Sequence, residues 1–310
     1  MRRPNFDFIG KRNWWFAFSG VLVAVSIVAL FVSGINYGID FQGGTLIDVR
    51  LEKAASVQDV RKVLGGQGLA DSTVQVADVE SVASKGKEVL IRTEQLQPAK
   101  QRQVLESLDK SFRLDRRGTS VQTVGPGWGD NVTRGALLAL GMSFFAILIY
   151  ISLRFEWKMA FSAMSALVHD LVLVVGIYAL VGREVTPNTI AAVLTVLGYS
   201  LYDTIVVFHR IKQNSDRMGK RTYAMMANDS INQIFVRWLN TSVIQLIPVI
   251  SLLIFGGETL KDFAFALMIG IMSGTYSSIF FASPLLVVLK ESEPRFKTLR
   301  KKYGNMEARA

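Results

Sequence analysis

The residue best suited to chemistry in this sequence is a carboxylate inside an apolar stretch. Residues 186–214 read TPNTIAAVLTVLGYSLYDTIVVFHRIKQN. Within them, 188–208 are apolar enough to cross a bilayer, which takes roughly 20 such residues. Ser200, Tyr202, Asp203 and Thr204 interrupt the run. An Asp near the middle of a span costs about 2.5–3.5 kcal/mol on insertion scales, so it must face a bundle interior or a wet cavity. A carboxylate placed there is suited to carrying a proton or binding an ion. The structural alternative is a buried Asp held by a neighbour's hydroxyl or cation.

Further polar residues fall in the other apolar stretches. Arg237, Thr241 and Gln245 are spaced i, i+4, i+8 and share one helix face, with Asn240 beside it. A polar stripe of that kind is expected to face protein or water rather than lipid. Asp203 precedes the boundary at Arg210 by about 10 Å of helical rise, and Arg237 lies one or two turns into the next span from the same side. The two are expected to come level and pair. An arginine that approaches and leaves would switch Asp203 between releasing and holding a proton. A static salt bridge or a snorkelling anchor is the plainer alternative. His169-Asp170, near the middle of another span, could extend a proton path or clamp two helices. His209 reads as an ordinary interfacial residue. Gly270, Gly274 and Ser278 repeat every four residues, with Ser273 and Ser277 beside them, and suit close helix packing within the chain or against a partner.

The elements that must hold these residues are membrane spans. The chain has 310 residues, 50% of them hydrophobic, and no cysteine; its mean hydropathy is +0.31. Missing cysteine excludes disulfides, thiolate metal sites and cysteine nucleophiles, and two histidines leave little for a histidine metal site. Neither a cofactor nor a metal is expected, and no catalytic residue set emerges, so the chain does not read as an enzyme. The net charge of +10 comes from basic residues clustered beside apolar runs. That argues for a membrane boundary and against nucleic acid as a partner. Six spans are expected: one at 14–35, uncleaved, and five within 131–289 (131–153, 159–181, 188–208, 235–255 and 263–289). By the positive-inside rule, the N-terminal residues 1–13, the loop at 154–158, the loop at 210–221 and the basic tail 290–310 are cytoplasmic.

Residues 36–130 have a different character. Strand patterns at 45–51, 73–79, 87–93 and 120–124 alternate with helix patterns at 56–64 and 98–112, with a turn around 84–86. The order βαββαβ suggests a small α+β module of ferredoxin-like type, outside the cytoplasm, between spans 1 and 2. Gly38-Ile39-Asp40-Phe41-Gln42-Gly43-Gly44-Thr45 leads into it. Its glycines suit tight chain reversal. Asp40 is a weaker candidate for an external proton or cation contact, and no phosphate loop follows the Gly-Gly pair.

Several of these segments are similar to the SecF family, the smaller subunit of SecDF protein-export complexes, which are related to RND proton-coupled transporters. The resemblance rests on 198–208 (GYSLYDTIVVF) followed by Arg210-Ile211 and Asn214, on the GIDFQGGT element, on 231–242, on the HD pair, and on the six-span layout. The common pattern has Asn where this chain has Tyr202 and Asp where it has His209. The resemblance implies coupling of the proton-motive force to late-stage polypeptide export across the bacterial inner membrane. Protons would be the coupling ion, SecD the heterodimer partner and SecYEG the channel. YajC, the exported polypeptide and membrane lipid would be further contacts. The proton relay would comprise Asp203, Arg237, Asp170 and His169, supported by Ser200, Thr204, Asn240, Thr241 and Gln245. Gly38, Asp40, Gly43 and Gly44 would form a structural motif. The alternatives are half of an RND-type exporter of lipids or small molecules, a passive translocon scaffold, and an intramembrane aspartyl protease. The last is disfavoured because its usual GxGD partner is absent.

Overall fold

The computed structural model describes residues 6–53, 55–81, 84–125 and 127–307. The chain divides into a helical unit, Met1–Asn36 with Leu138–Ala310, and a sheet-containing unit, Tyr37–Leu137. Among the described residues six helices are long and apolar enough to cross a membrane, and the chain is a multi-pass membrane protein. They are α1 (Arg12–Ser33), α5 (Trp128–Arg154), α6 (Trp157–Val181), α7 (Pro187–Ser215), α8 (Tyr223–Phe255) and the segment Leu260–Glu291. That last segment comprises α9 (Glu258–Ser277), a π-helical turn (Ser278–Ala282) and α10 (Ser283–Glu291).

Local sequence sets the helix ends. Gly182, at φ 68°, stops α6. After the short β6 (Glu184–Val185), α7 starts with Pro187 in its first turn and a reciprocal cap. The Thr186 hydroxyl accepts from the Thr189 amide (3.3 Å) and the Thr189 hydroxyl from the Thr186 amide (3.1 Å). The π-helical turn has a similar local cause. Pro284 has no N–H to offer the preceding turn. The Ser283 hydroxyl donates to the Ser278 carbonyl (2.8 Å) and the Ser162 hydroxyl to the Ala282 carbonyl (2.6 Å).

Small residues decide the packing. A Cβ on Gly270 would collide with the Val196 side chain, and one on Gly274 would lie 2.7 Å from the Ser200 Cβ. The Gly270–Gly274–Ser278 stripe therefore seats α9 on α7 of the same chain, against Val196, Ser200 and Thr204. Gly176 of α6 meets Ser26 of α1 in the same way.

Two segments read as loop and tail contain helix. α8 begins at Tyr223, where the Thr222 hydroxyl caps it by accepting from the Met225 amide (3.1 Å). Its opening turns carry Asn228 and Asn232, whose side chains grip the N-terminal segment. Asn228 Oδ1 accepts from the Phe8 amide (2.8 Å) and Asn232 Oδ1 from the Phe6 amide (2.9 Å). Dense polar residues conceal this amphipathic stretch in the sequence. Within the tail, Pro294–Glu307 forms α11, and Phe296 is buried there against the Tyr223 ring, 4.8 Å between centroids. Arg2 and Arg3 lie outside the described residues.

In the sheet-containing unit, β1 (Asn36–Tyr37, which starts one residue earlier) and the short α2 (Ile39–Gln42) precede β2 (Gly44–Leu51). There follow α3 (Val57–Gly65), β3 (Thr73–Ser81), β4 (Ser84–Thr93), α4 (Pro98–Phe112) and β5 (Leu114–Val124). The four long strands form an antiparallel sheet in the order β3-β4-β2-β5, with Thr45 opposite Thr93 and Gly44 opposite Val124. Ile47, Val49 and Leu51 alternate inward along β2 and are essentially inaccessible. They meet Val60 and Leu64 of α3 and Val104 and Leu108 of α4 in one core. Residues 84–86, expected as a turn, belong to β4. β3 and β4 pair out to Ser81 opposite Ser84; residues 82–83 and Pro126 lie outside the described residues. β5 starts six residues before the pattern at 120–124, because Gly118 and the register shift opposite Asp48/Arg50 break the alternation.

Two outcomes test this account. Gly274→Val should lower the stability of the purified protein by about 1–3 kcal/mol through overpacking, read as a lower thermal midpoint in detergent, whereas Gly135→Val, with open space around it, should not. In α3, the Ser56 hydroxyl and amide hold the Asp59 carboxyl below the usual carboxylate range. That contribution is full above the unfolded carboxyl's pKa and is lost as pH falls through the lowered folded value. The protection of the first-turn amides of α3 against exchange, relative to their intrinsic rates, should fall over that acid window, and Ser56→Ala, which removes the hydroxyl but keeps the amide contact, should weaken the pH dependence.

Candidate functional site: two buried carboxylates

Asp170 sits midway along α6 with no exposed surface. Its Oδ2 accepts from the hydroxyls of Ser200 (2.6 Å) and Ser277 (2.8 Å). Its Oδ1 accepts from the Ser273 hydroxyl (2.6 Å) and lies 3.2 Å from His169 Nδ1. Three helices thus meet at one carboxylate. Ser200 comes from α7 and the other two serines from α9, and the approach allowed by Gly274 over Ser200 brings both sets within reach. Hydrogen bonds to a charged group are worth about 1.5–3 kcal/mol each. The contact to His169 requires the Nδ1 tautomer to carry the proton if it donates. Its Nε2 is buried without a hydrogen-bond partner among the described residues, and the ring stacks on Phe281 at 4.9 Å and 19°.

Asp203 is also buried, but its surroundings differ. It is 5% exposed, and no hydrogen bond or ion pair reaches its carboxylate among the described residues. Its neighbour Thr204 bonds the Ser278 hydroxyl (2.9 Å). Two carboxylates on adjacent helices therefore occupy opposite conditions, one saturated with donors and one unpartnered. Ser200 lies three residues from Asp203 and is itself a ligand of Asp170.

The expected pairing of Asp203 with Arg237 is not present. α8 turns Trp238 and Ser242 inward, and at 100° per residue this leaves Arg237 and Asn240 on its exposed side. The Thr241 hydroxyl is spent on the Arg237 carbonyl (2.9 Å). Gln245 is half-buried, and its Oε1 has no hydrogen-bond partner among the described residues. It borders a groove of about 440 Å³ with Thr195, Gly198, Tyr199 and Tyr202. His209 is exposed and contacts Gln213 at 2.9 Å.

The Gly-rich element acts on the backbone. Gly43 and Gly44 adopt φ 75° and 119°, and a Cβ on Gly44 would lie 2.5 Å from the Thr93 carbonyl oxygen. Gly38 caps α2 in an extended conformation, and a Cβ on Gly129 would strike the Phe41 carbonyl. Asp40 is half-buried, and burial pushes its carboxyl above the usual range against the opposing effect of its own backbone hydrogen bond. Among the described residues, no cluster of three or more His, Asp or Glu suits a metal ion.

In the sequence, Ser273 and Ser277 stand out only as small residues beside the glycine stripe. Their i, i+4 spacing beside the glycine stripe is the available signal that both hydroxyls share one face of α9, which the structure turns toward Asp170 of α6.

The family profile "Protein export membrane protein SecD/SecF, C-terminal" matches residues 103–292, and the "SecD/SecF GG Motif" profile matches 28–55. This chain belongs to the SecD/SecF family. Similar members include the Protein translocase subunit SecF of Streptomyces coelicolor, 39% identical over 96% of this chain and 80% of its own length. That of Magnetococcus marinus is 39% identical over 95% of both. Protein translocase subunit SecDF of Thermus thermophilus is 36% identical over 93% of this chain. The crystal structure of SecDF, a translocon-associated membrane protein, superposes with a TM-score of 0.83 at 36% identity. This chain spans 39% of that longer one. The GG-motif match falls on the turn that carries the two positive-φ glycines.

If Asp170 is the junction of three helices, Ser277→Ala and Ser273→Ala should each destabilise the protein by about 1–3 kcal/mol. A double-mutant cycle with Asp170→Asn should show coupling of comparable size, measured as shifts in thermal midpoint in detergent. Additive effects would contradict the shared-acceptor geometry.

Proposed function

We propose that this chain is a SecF-type subunit that couples the proton-motive force to the export of polypeptides. The observation that carries this reading is Asp203, a carboxylate buried in a membrane span without a partner. It lies beside Ser200 and Thr204 and close in sequence to a ligand of a second buried carboxylate. Charging an isolated acid in a span is costly, so such an acid is suited to taking and releasing a proton as its surroundings change. One proton crossing 100 mV supplies about 2.3 kcal/mol. Arg237 would reach Asp203 only through movement of α8, consistent with a switch and not with a resting salt bridge. His169 and Asp170 would extend the path, with Ser200, Thr204, Asn240, Thr241 and Gln245 lining it.

In this reading SecD covers the groove at Tyr199, Tyr202 and Gln245. The relative that joins SecD and SecF in one chain supports such a pairing. The antiparallel order β3-β4-β2-β5 between two helices supports a ferredoxin-like module, placed outside the cytoplasm to meet the emerging polypeptide. The basic boundaries support an inner-membrane orientation with both termini in the cytoplasm. SecYEG and YajC are the neighbours implied by family likeness. The chain performs no bond chemistry in this scheme and needs no cofactor.

The test is proton uptake into vesicles holding this chain with SecD. Asp203→Asn should reduce flux at least about tenfold, the scale of losing an essential proton carrier, while Asp203→Glu retains part of it. Unchanged flux in Asp203→Asn would end the proposal.

A further inference from the structure

One end of the helical unit carries an excess of positive charge that internal pairing does not absorb. The acids there are mostly taken up. Glu291 pairs with Arg12 and Arg300, each at 3.4 Å. Glu293 pairs with Lys158 at 3.0 Å and Lys290 at 3.4 Å, and its carboxyl is lowered because those lysines outweigh the effect of burial. Glu156 pairs with Lys290 and Asp229 with Arg221 (2.7 Å). Asp7 accepts from the Gly10 amide (2.7 Å), and Asp216 stays exposed. Among the cations left over are six in two segments: Arg217 and Lys220 in the turn before α8, and Arg295, Lys297, Lys301 and Lys302 on α11. All six are exposed and make no ion pair with a described residue. Between Pro294 and Met306 the sequence has no acid.

The fold brings these two segments together. The Tyr223 and Phe296 rings pack at 4.8 Å and join the start of α8 to α11. Leu299 packs on the same core. The apolar face of α11 is therefore spent on protein and cannot insert into a bilayer. What it offers outward is charge. The same end holds Trp14 and Trp157, 61% and 68% exposed, with the Lys158 ammonium 5.5 Å from the Trp157 ring. Tryptophans at helix ends mark the boundary between hydrocarbon and water.

We infer that α11 and the turn before α8 form a binding surface for the phosphate head groups of acidic phospholipids. Charge complementarity and position at the bilayer boundary both select this occupant. Attraction to an acidic lipid surface is worth about fivefold in affinity for each nearby lysine or arginine. Binding here would hold α11 against its leaflet, and through Tyr223 it would act on α8, the helix that carries Arg237. The inference requires only that the chain spans a membrane, so its failure would leave the proton reading untouched.

The experiment is native mass spectrometry of the full chain from micelles doped with phosphatidylglycerol or phosphatidylcholine. The wild-type chain should retain phosphatidylglycerol preferentially and lose it as salt rises. K297Q/K301Q/K302Q should lower that preference by at least about tenfold, while K297R/K301R/K302R keeps it, both with an unchanged thermal midpoint. Should the glutamine variant fail to fold, K301Q alone and the salt titration of the wild type decide. Equal retention of the two lipids, or a preference untouched by salt or by the glutamine variants, overturns the inference. So does complete stripping by millimolar inorganic phosphate, which would indicate a free-phosphate site. A single-stranded RNA oligonucleotide binding more tightly than phosphatidylglycerol would also overturn it, indicating nucleic acid.

Discussion

The distance at which α9 can lie against α7 governs the helical unit. Gly270 and Gly274 remove side chains where Val196 and Ser200 need room. That contact brings the Ser273 and Ser277 hydroxyls to Asp170 while Ser200 reaches it from the other helix. In hydrocarbon, helix association gains little from the hydrophobic effect, since lipid tails are as apolar as leucine. Close packing and hydrogen bonds must supply it instead. Here the same few residues provide both. One turn further, Thr204 and Ser278 repeat the arrangement with a hydroxyl pair.

Within this frame two acids carry different burdens. Asp170 has its acceptor positions filled by hydroxyls and an imidazole. Asp203 lies on the helix that bridges to it, buried and without a bonded partner among the described residues. The bundle bonds one carboxylate fully and leaves the other without a bonded partner among the described residues, as it also leaves His169 Nε2 and Gln245 Oε1. Buried polar groups are normally paired because leaving them unpaired costs free energy, so Asp203 carries a cost that Asp170 does not. The outward placement of Arg237 fits that division, since a permanent cation beside Asp203 would remove that cost.

The two units hold together by different physics. The sheet-containing unit has an ordinary water-excluding core, with alternation on β2 and helical spacing on α4 directed to one layer. The helical unit exposes large apolar surfaces on α1 and α5 and concentrates its pairing inside. At its basic end, lysines nearly removed from solvent, Lys158 and Lys290, are matched to glutamates and to the Leu289 carbonyl. This ties α6, α10 and α11 together while the remaining cations stay on the surface.

Much of this was legible in the residues themselves. Spans follow from run length, because a bilayer demands about 20 apolar residues whatever the neighbours do. The sheet module follows from periodicity, and the turn at Gly43-Gly44 from the positive φ that glycine tolerates. What remained hidden was every relation between helices. Spacing showed that Arg237, Thr241 and Gln245 share a face, but rotation about the helix axis is set by what Trp238 and Ser242 pack against, and that turned the stripe outward. Spacing showed the small-residue stripe on α9, but only its seating on α7 revealed Ser273 and Ser277 as ligands of Asp170. The start of α8 and the helix within the tail were hidden for a related reason. Their few apolar side chains find partners far away in sequence, on residues 6–10 and at Tyr223. Covalent neighbours determine length, capping and periodicity; the side of a helix that faces inward is decided by side chains hundreds of residues distant.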